Sequence, residues 1–177
     1  LFNLGKIYQQ KGDFEKALES FEKILKFKNV NRLDLVFNEI GITFQKKEDF
    51  HSAIKAYLKA IKVNKNSIQS YNNLGYAQFE LEDFDAASSS FLKAIKLNPK
   101  NAIARKNLGK IYLLKWNYKE GLKNYEYRYK QSNIRIFPHA SPNIPIWSGE
   151  DSERPNKLLI VSEQGLGDTL QFMRFLP

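Results

Sequence analysis

The sequence has no cysteine, and this absence excludes a disulfide framework, a thiolate zinc site, an iron–sulfur cluster and a cysteine nucleophile. Long apolar runs are also missing: the longest comprises the four residues Leu158 to Val161, whereas a membrane-spanning helix needs about 20. We therefore expect no membrane span and a cytoplasmic location. The two histidines, His51 and His139, lie far apart in the sequence, so no metal site is predicted.

Acidic residues are scarce relative to basic ones, but only in part of the chain. Residues 1–130 hold 24 of the 28 lysines and arginines and 14 of the 19 acids, a net charge of +10, whereas residues 131–177 carry −1. The lysines fall at many helical phases and the aromatic residues follow a packing pattern, so the sequence offers no platform for stacked bases. We predict a solvated basic surface that attracts an acidic protein or peptide, and no specific binding of nucleic acid.

A repeat organises the first 130 residues. Pairs of Leu-Gly or Ile-Gly end at Gly5, Gly41, Gly75 and Gly109, so the last three glycines are spaced by 34 residues and the first step is 36. A small residue follows each glycine by twelve positions and an aromatic residue by sixteen. The small residues are Ala17, Ala53, Ala87 and Gly121, and the aromatic residues are Phe21, Tyr57, Phe91 and Tyr125. A fixed period of this size predicts stacked repeats.

Each unit is interpreted as a pair of helices, because apolar residues recur three and four positions apart on both sides of a short turn. The glycine is expected where the two helices cross most closely, with the small residue of the second helix facing it, since larger side chains would push the helix axes apart. Asp13, Asp49, Asp83 and Asn117 are predicted to cap the second helices. One unit cannot bury its own apolar face, so we expect the units to stack into a solenoid whose first helices line the inner surface.

This pattern of Leu-Gly, Tyr, Ala and Phe with a 34-residue period resembles the tetratricopeptide repeat. The resemblance implies a mainly all-α fold, with a helix-pair solenoid of about four repeats over residues 1–131 and units at 1–31, 34–67, 68–101 and 102–131. It also implies a protein–protein interaction module that binds peptide or protein partners on the concave face. A purely structural repeat scaffold is the alternative.

Asparagines recur in one slot of the repeat, two positions before the glycine. Asn3, Asn73 and Asn107 occupy this slot, and Glu39 replaces asparagine in the second unit. Asparagines in register could bond to both the N–H and the C=O groups of an extended peptide, and the tetratricopeptide domain of O-linked GlcNAc transferase carries a similar ladder. The alternative is that asparagine is simply common in this chain. The candidate peptide-binding residues, which include two asparagines one position earlier in the repeat, are Asn3, Asn38, Asn72, Asn73 and Asn107.

The sequence changes character after the repeats. Four prolines between Pro138 and Pro155 predict an extended, Pro-rich linker over residues 132–156. Residues 157–177 are then interpreted as a buried strand, a glycine turn with Gly165 and Gly167, and a helix, which together open an α/β domain. A dinucleotide fingerprint would need a third glycine in this turn and is therefore incomplete.

The end of the repeats, the linker and the motif Glu-Gln-Gly-Leu-Gly-Asp-Thr-Leu together resemble bacterial proteins in which such repeats precede a heptosyltransferase-like glycosyltransferase domain of the GT-B fold. The resemblance implies that Asp168 is the catalytic base of the parent protein, with a helix N-cap as the alternative role. It implies a nucleotide sugar in the parent and no cofactor here, because the nucleotide-sugar lobe is absent.

The sequence lacks an initiator Met and stops in an apolar stretch, so we expect a fragment of a longer chain. Only the first strand and helix of the glycosyltransferase-like domain would lie within it, and the fragment itself is not expected to catalyse transfer. In the parent protein, the repeats could instead be the acceptor-recognition part of an active protein glycosyltransferase.

Overall fold

A computed structural model describes residues 1–27 and 30–127, and these residues form eight helices and no strand. The mainly all-α prediction is therefore confirmed for this part of the chain. The predicted linker at 132–156 and the predicted α/β segment at 157–177 lie outside the described residues. The helices are α1 (Phe2–Lys11), α2 (Phe14–Leu25), α3 (Leu33–Lys46), α4 (Phe50–Val63), α5 (Ile68–Glu80), α6 (Phe84–Leu97), α7 (Ala102–Leu114) and α8 (Tyr118–Tyr125).

The helices pack as four successive pairs, α1 with α2 through α7 with α8, and each second helix also contacts the first helix of the next pair. The first helices of neighbouring pairs contact each other directly, α1 with α3, α3 with α5 and α5 with α7. Within residues 1–27 and 30–127, no second helix contacts another second helix. The first helices therefore lie on the tighter, inner side of the array, and the second helices lie on the wider, outer side.

Short turns with a repeated design separate the two helices of each pair. The side chains of Asp13, Asp49, Asp83 and Asn117 accept hydrogen bonds from backbone N–H groups three residues later, at 3.0–3.3 Å. This confirms the predicted N-caps, which satisfy amide groups that a helix start leaves without partners. The residue before each cap has left-handed backbone, with φ between 59° and 80°.

The repeat glycines lie at the closest crossing of each helix pair, but the contact differs from the one expected. A methyl group added to Gly5 would lie 2.6 Å from the ring of Phe21, and one added to Gly75 would lie 2.8 Å from the ring of Phe91. The atoms nearest to these two glycines therefore belong to the aromatic residue that stands four positions after the expected alanine. The alanine is fully buried in the core; Ala87, for example, lies in a cluster that contains Phe91 of its own unit and Leu108 of the next first helix.

The fourth pair is the exception. A methyl group on Gly109 would lie 2.9 Å from the backbone oxygen of Gly121, the small residue twelve positions later, and also close to the backbone nitrogen of Tyr125. In this unit the two helices approach backbone to backbone. The predicted contact between glycine and small residue is found here, where the small residue is itself glycine.

Candidate peptide-binding surface

The inner surface is formed by the first helices, and the asparagine slot lies on all four of them. Asn3 on α1 is exposed, whereas Glu39 on α3, Asn73 on α5 and Asn107 on α7 are half-buried. Because neighbouring first helices contact one another, these four side chains occupy equivalent positions along one row.

Asn107 and Asn73 differ in which of their side-chain atoms are available to a partner. Asn107 makes no side-chain hydrogen bond within the described residues, so both its amide group and its carbonyl oxygen are available. Asn73 donates one hydrogen bond from Nδ2 to Oδ1 of Asn38 at 3.1 Å, and its own Oδ1 remains an acceptor. Asn107 therefore keeps more unused hydrogen-bonding capacity than Asn73.

Asn38 lies inside the molecule and not on this surface. Its side chain is 2% exposed, and its Oδ1 accepts hydrogen bonds from Ser70 Oγ at 3.3 Å and from Asn73 Nδ2 at 3.1 Å. Its Nδ2 is buried and has no hydrogen-bond partner in the described part of the chain. Asn38 thus joins α3 to α5, and we leave it out of the candidate surface.

Asn72 also connects helices. Its Oδ1 accepts a hydrogen bond from Asn101 Nδ2 at 3.1 Å. Asn101 is the N-cap of α7, and its Oδ1 accepts a hydrogen bond from the backbone N–H of Ala104. The pair ties α5 to the beginning of α7. Asn72 and Asn38 both stand three positions before a glycine, and their side chains bond to a neighbouring helix. The slot two positions before the glycine, which holds Asn73 and Asn107, is more open to solvent than that of Asn38.

Glu39 interrupts the asparagine row with a carboxylate in a partly buried place. Burial raises its pKa above the ordinary value, and this effect is partly offset by the positive charge of Lys6, a hydrogen bond with Gln9 and the charge of Lys46. Gln9 also donates hydrogen bonds from Nε2 to the backbone oxygen of Glu39 at 3.0 Å and to Thr43 Oγ1 at 2.7 Å. The middle of the inner surface therefore carries a carboxylate, and hydrogen bonds from Gln9 join α3 to α1.

Two lysines beside Asn107 were not predicted as site residues from the sequence. Lys106 and Lys110 stand one helical turn apart on α7, and Lys106 is half-buried. Burial lowers the pKa of Lys106, and the charge of Lys110 lowers it further. The four-residue spacing without a nearby acid was the signal in the sequence, since residues three and four apart on a helix share one face.

Not every basic residue of the fourth unit is available to a partner. The Nε of Arg105 donates a hydrogen bond to the backbone oxygen of Pro99 at 2.9 Å, and its Nη1 donates one to Asn124 Oδ1 at 3.4 Å. Its guanidinium also lies over the ring of Tyr127, 4.5 Å from the ring centre. Arg105 therefore contributes to packing of the last helix pair.

By their side chains and helix lengths, the described residues fit neither a metal site nor a membrane span. No group of three His, Cys, Asp or Glu side chains suited to a metal ion occurs within residues 1–27 and 30–127. No helix of this part has both the length and the apolar character needed to cross a membrane. The predicted catalytic Asp168 and the predicted turn glycines Gly165 and Gly167 lie outside the described residues.

Family models confirm the repeat assignment. A model described as tetratricopeptide repeat matches residues 1–28 and 68–101, and a second, described as TPR repeat, matches residues 41–82. Together they cover half of the chain. The chain belongs to the tetratricopeptide repeat family. Stacked repeats of this kind create extended concave surfaces for protein partners, so the chain carries a protein–protein interaction scaffold.

Solved structures with the same fold include several of MamA. A crystal structure of MamA is 23% identical over 73% of this chain and 74% of that chain, with a TM-score of 0.65. MamA from Desulfovibrio magneticus RS-1 is 19% identical over 74% of this chain and 75% of that chain, with a TM-score of 0.64. Identities this low establish a common tetratricopeptide solenoid and leave the partner open. Among curated proteins, none matched the chain.

Proposed function

We propose that this tetratricopeptide array binds an extended segment of a protein partner across its inner surface, with Asn3, Asn73 and Asn107 as the contacts to the partner's backbone. The observation that supports the proposal best is Asn107, whose side chain makes no hydrogen bond within the described residues although it is half-buried. The side-chain amide of Asn107 is not sealed from solvent, so its donor and its acceptor can both bond to a peptide backbone, which offers the matching groups.

The partner in this proposal is acidic, since residues 1–130 carry a net charge of +10 and opposite charge accelerates encounter. Nucleic acid is the less suitable anionic partner. Aromatic residues in the described repeats mostly fill packing slots, as with Phe21 and Phe91 over the repeat glycines, and single-stranded nucleic acid needs exposed aromatic faces for its bases.

A second candidate function concerns the parent protein. The motif around Asp168, with Gly165 and Gly167, favours a cytoplasmic bacterial protein in which these repeats present acceptors to a heptosyltransferase-like glycosyltransferase that uses a nucleotide sugar. In full-length protein with transferase activity, Asp168→Asn keeps a helix cap but removes a base. A large fall in turnover at unchanged melting temperature would support the catalytic role, and normal turnover would assign Asp168 to structure.

The peptide-binding proposal is tested with a peptide selected from a random dodecamer library and measured by fluorescence anisotropy. The double variant Asn73→Ala/Asn107→Ala should weaken binding by about 1 to 3 kcal/mol, because each change removes hydrogen bonds to a desolvated backbone. Asn107→Ala alone is the cleaner change, since Asn73 also bonds to Asn38.

The matched control is Asn66→Ala, in the exposed turn between α4 and α5, which should leave affinity unchanged. Melting temperatures of all variants establish that the repeats remain folded. Unchanged affinity in a folded double variant would contradict the role of the asparagine row.

A further inference from the structure

Charge is distributed unevenly over the four inner helices. The net charge is +2 on α1, −1 on α3, −1 on α5 and +3 on α7, and α7 contains no acidic residue. The acids of the two middle helices have polar neighbours: Asp34 accepts a hydrogen bond from Asn64 Nδ2, and Glu39 is half-buried near Lys6. Glu80 lies close to Tyr76, and burial together with this carboxylate raises the pKa of the tyrosine. An acidic partner is therefore favoured at α7 and disfavoured at α3 and α5.

The positive charge on α7 is concentrated in one pair. Lys106 and Lys110 are one turn apart, and neither forms an ion pair within the described part of the chain. The half-buried Lys106 ammonium is destabilised by loss of water and by its neighbour, which is why its pKa is lowered. An anion placed between the two ammonium groups would favour the charged form of both lysines and so offset both effects.

Aliphatic side chains flank the lysine pair along the same helix. Ile103 is 47% exposed and stands three residues before Lys106, and Leu114 is 54% exposed and stands four residues after Lys110. Spacings of three and four place these side chains on one stripe of the helix. The stripe is therefore apolar, basic, basic and apolar in order, with Asn107 beside it.

This stripe suits a peptide better than a nucleic acid or an inorganic anion. The exposed neighbours of the lysines along α7 are aliphatic and offer no face on which a base could stack. A free phosphate would satisfy the lysines but leave Ile103 and Leu114 in water. A peptide that combines acidic and apolar side chains matches all four residues.

We propose that Lys106 and Lys110 form a carboxylate-binding site for acidic side chains of an extended peptide, with Ile103 and Leu114 contacting apolar side chains on either side. This inference rests on the proposed peptide-binding function and adds which residues the partner carries and where they bind. Asn107 contacts the backbone of the same peptide segment.

The experiment uses the 177-residue chain and two fluorescein-labelled probes, one with Leu-Glu-Ala-Glu-Leu at its centre and one with Leu-Gln-Ala-Gln-Leu. Affinities are measured by anisotropy for the unsubstituted chain, for Lys106→Gln/Lys110→Gln, and for Lys119→Gln/Lys123→Gln. The second double variant is the matched control: it removes the same charge at the same spacing from exposed positions on the outer helix of the same unit.

We expect the glutamate probe to bind at least about tenfold more tightly than the glutamine probe, since hydrogen bonds to charged groups are the stronger ones. Lys106→Gln/Lys110→Gln should abolish this preference, and Lys119→Gln/Lys123→Gln should retain it. Inorganic phosphate, added at constant ionic strength, should not displace the probe.

Five results would overturn the inference. Equal binding of both probes, with the asparagine effect intact, would remove the carboxylate site and leave the proposed function standing. Equal loss in the two lysine variants would assign the preference to overall charge, and displacement by phosphate or tighter binding of an RNA oligonucleotide would assign the site to another ligand. Absence of binding by the probes and by library peptides alike would remove the proposed function as well.

Discussion

The first helix of the first unit and the first helices of the later units use equivalent residues in different ways. The residue before the repeat glycine is 7% exposed at Ile40, 4% at Leu74 and 2% at Leu108, but 42% exposed at Leu4. Each later first helix packs against the second helix of the preceding unit, whereas α1 has no such neighbour in the described part of the chain. Burial at this slot is therefore decided by the adjacent unit and not by the residue type.

The comparison separates two kinds of contact in a repeat array. Contacts between units, such as those of Leu108, exist only where a neighbour is present, whereas contacts within a unit, such as the ring over the glycine in the first three pairs, need no neighbour. Substitutions at equivalent slots should reveal which kind a residue makes.

The largest effect is expected at the interior leucine. Leu108→Ala should lower the free energy of unfolding by about 2 to 5 kcal/mol, because it removes a buried side chain and leaves a cavity. Leu4→Ala, the same change at the exposed end, should cost less than about 1 kcal/mol. Urea denaturation followed by circular dichroism measures both, and equal losses would break the comparison.

The glycine contact should differ between the end and the interior by a smaller amount. Gly75→Ala places a methyl group against the ring of Phe91 and should cost about 1 to 3 kcal/mol, partly offset by the better helix propensity of alanine. Gly5→Ala should cost less, because within the described residues α1 packs only against α2 and α3 and can move away from Phe21. Thermal unfolding of the two variants checks the order, and a larger loss at Gly5 would contradict it.

Helix caps should be insensitive to position. Asp83→Ala, in the interior, should cost about 1 kcal/mol, and Asn117→Ala, in the last unit, should cost about the same, because each removes one side-chain hydrogen bond to its own helix. Asp83→Asn retains a capping residue and is the control. A clear difference between the two alanine variants would mean that the caps also depend on neighbouring units.

The smallest expected effect is a pH dependence at Glu39. Burial raises its pKa above the unfolded value of 4.5, so the folded state holds the proton to higher pH, and stability is lost as pH rises from the unfolded pKa through the folded one. Glu39→Gln should therefore raise the melting temperature at pH 7 and leave it unchanged near pH 3. Asn3→Glu places a carboxylate at the same slot in the exposed first unit and should add no pH dependence to the melting temperature. If Glu39→Gln changed the melting temperature equally at pH 3 and pH 7, the raised pKa of Glu39 would not be the cause.

Local rules predicted most of the fold. The helix caps and the turns follow from short-range hydrogen bonding by Asp and Asn, and the helix pairs follow from apolar spacing and the glycine period. These features depend on residues within one unit, so a single sequence contains the information that they require.

Contacts between units were harder to predict. Asn38 and Asn73 have the same residue type and nearly the same slot, yet Asn38 is buried between α3 and α5 whereas Asn73 remains half-buried on the inner row. One position along a helix rotates a side chain by about 100°, which is enough to turn it from a partner toward a neighbouring helix. The roles of the ring over the glycine in the first three units and of Lys106 beside Lys110 likewise depend on packing that periodicity does not specify.

The direct contact between successive first helices sets a length scale for recognition. Packed helix axes are separated by about 8–10 Å, and an extended chain advances by about 3.3 Å per residue. A segment that crosses the row would therefore meet a new helix at every third residue. A binding motif for these repeats would have a period of three, and each additional unit would lengthen the recognised sequence by about three residues.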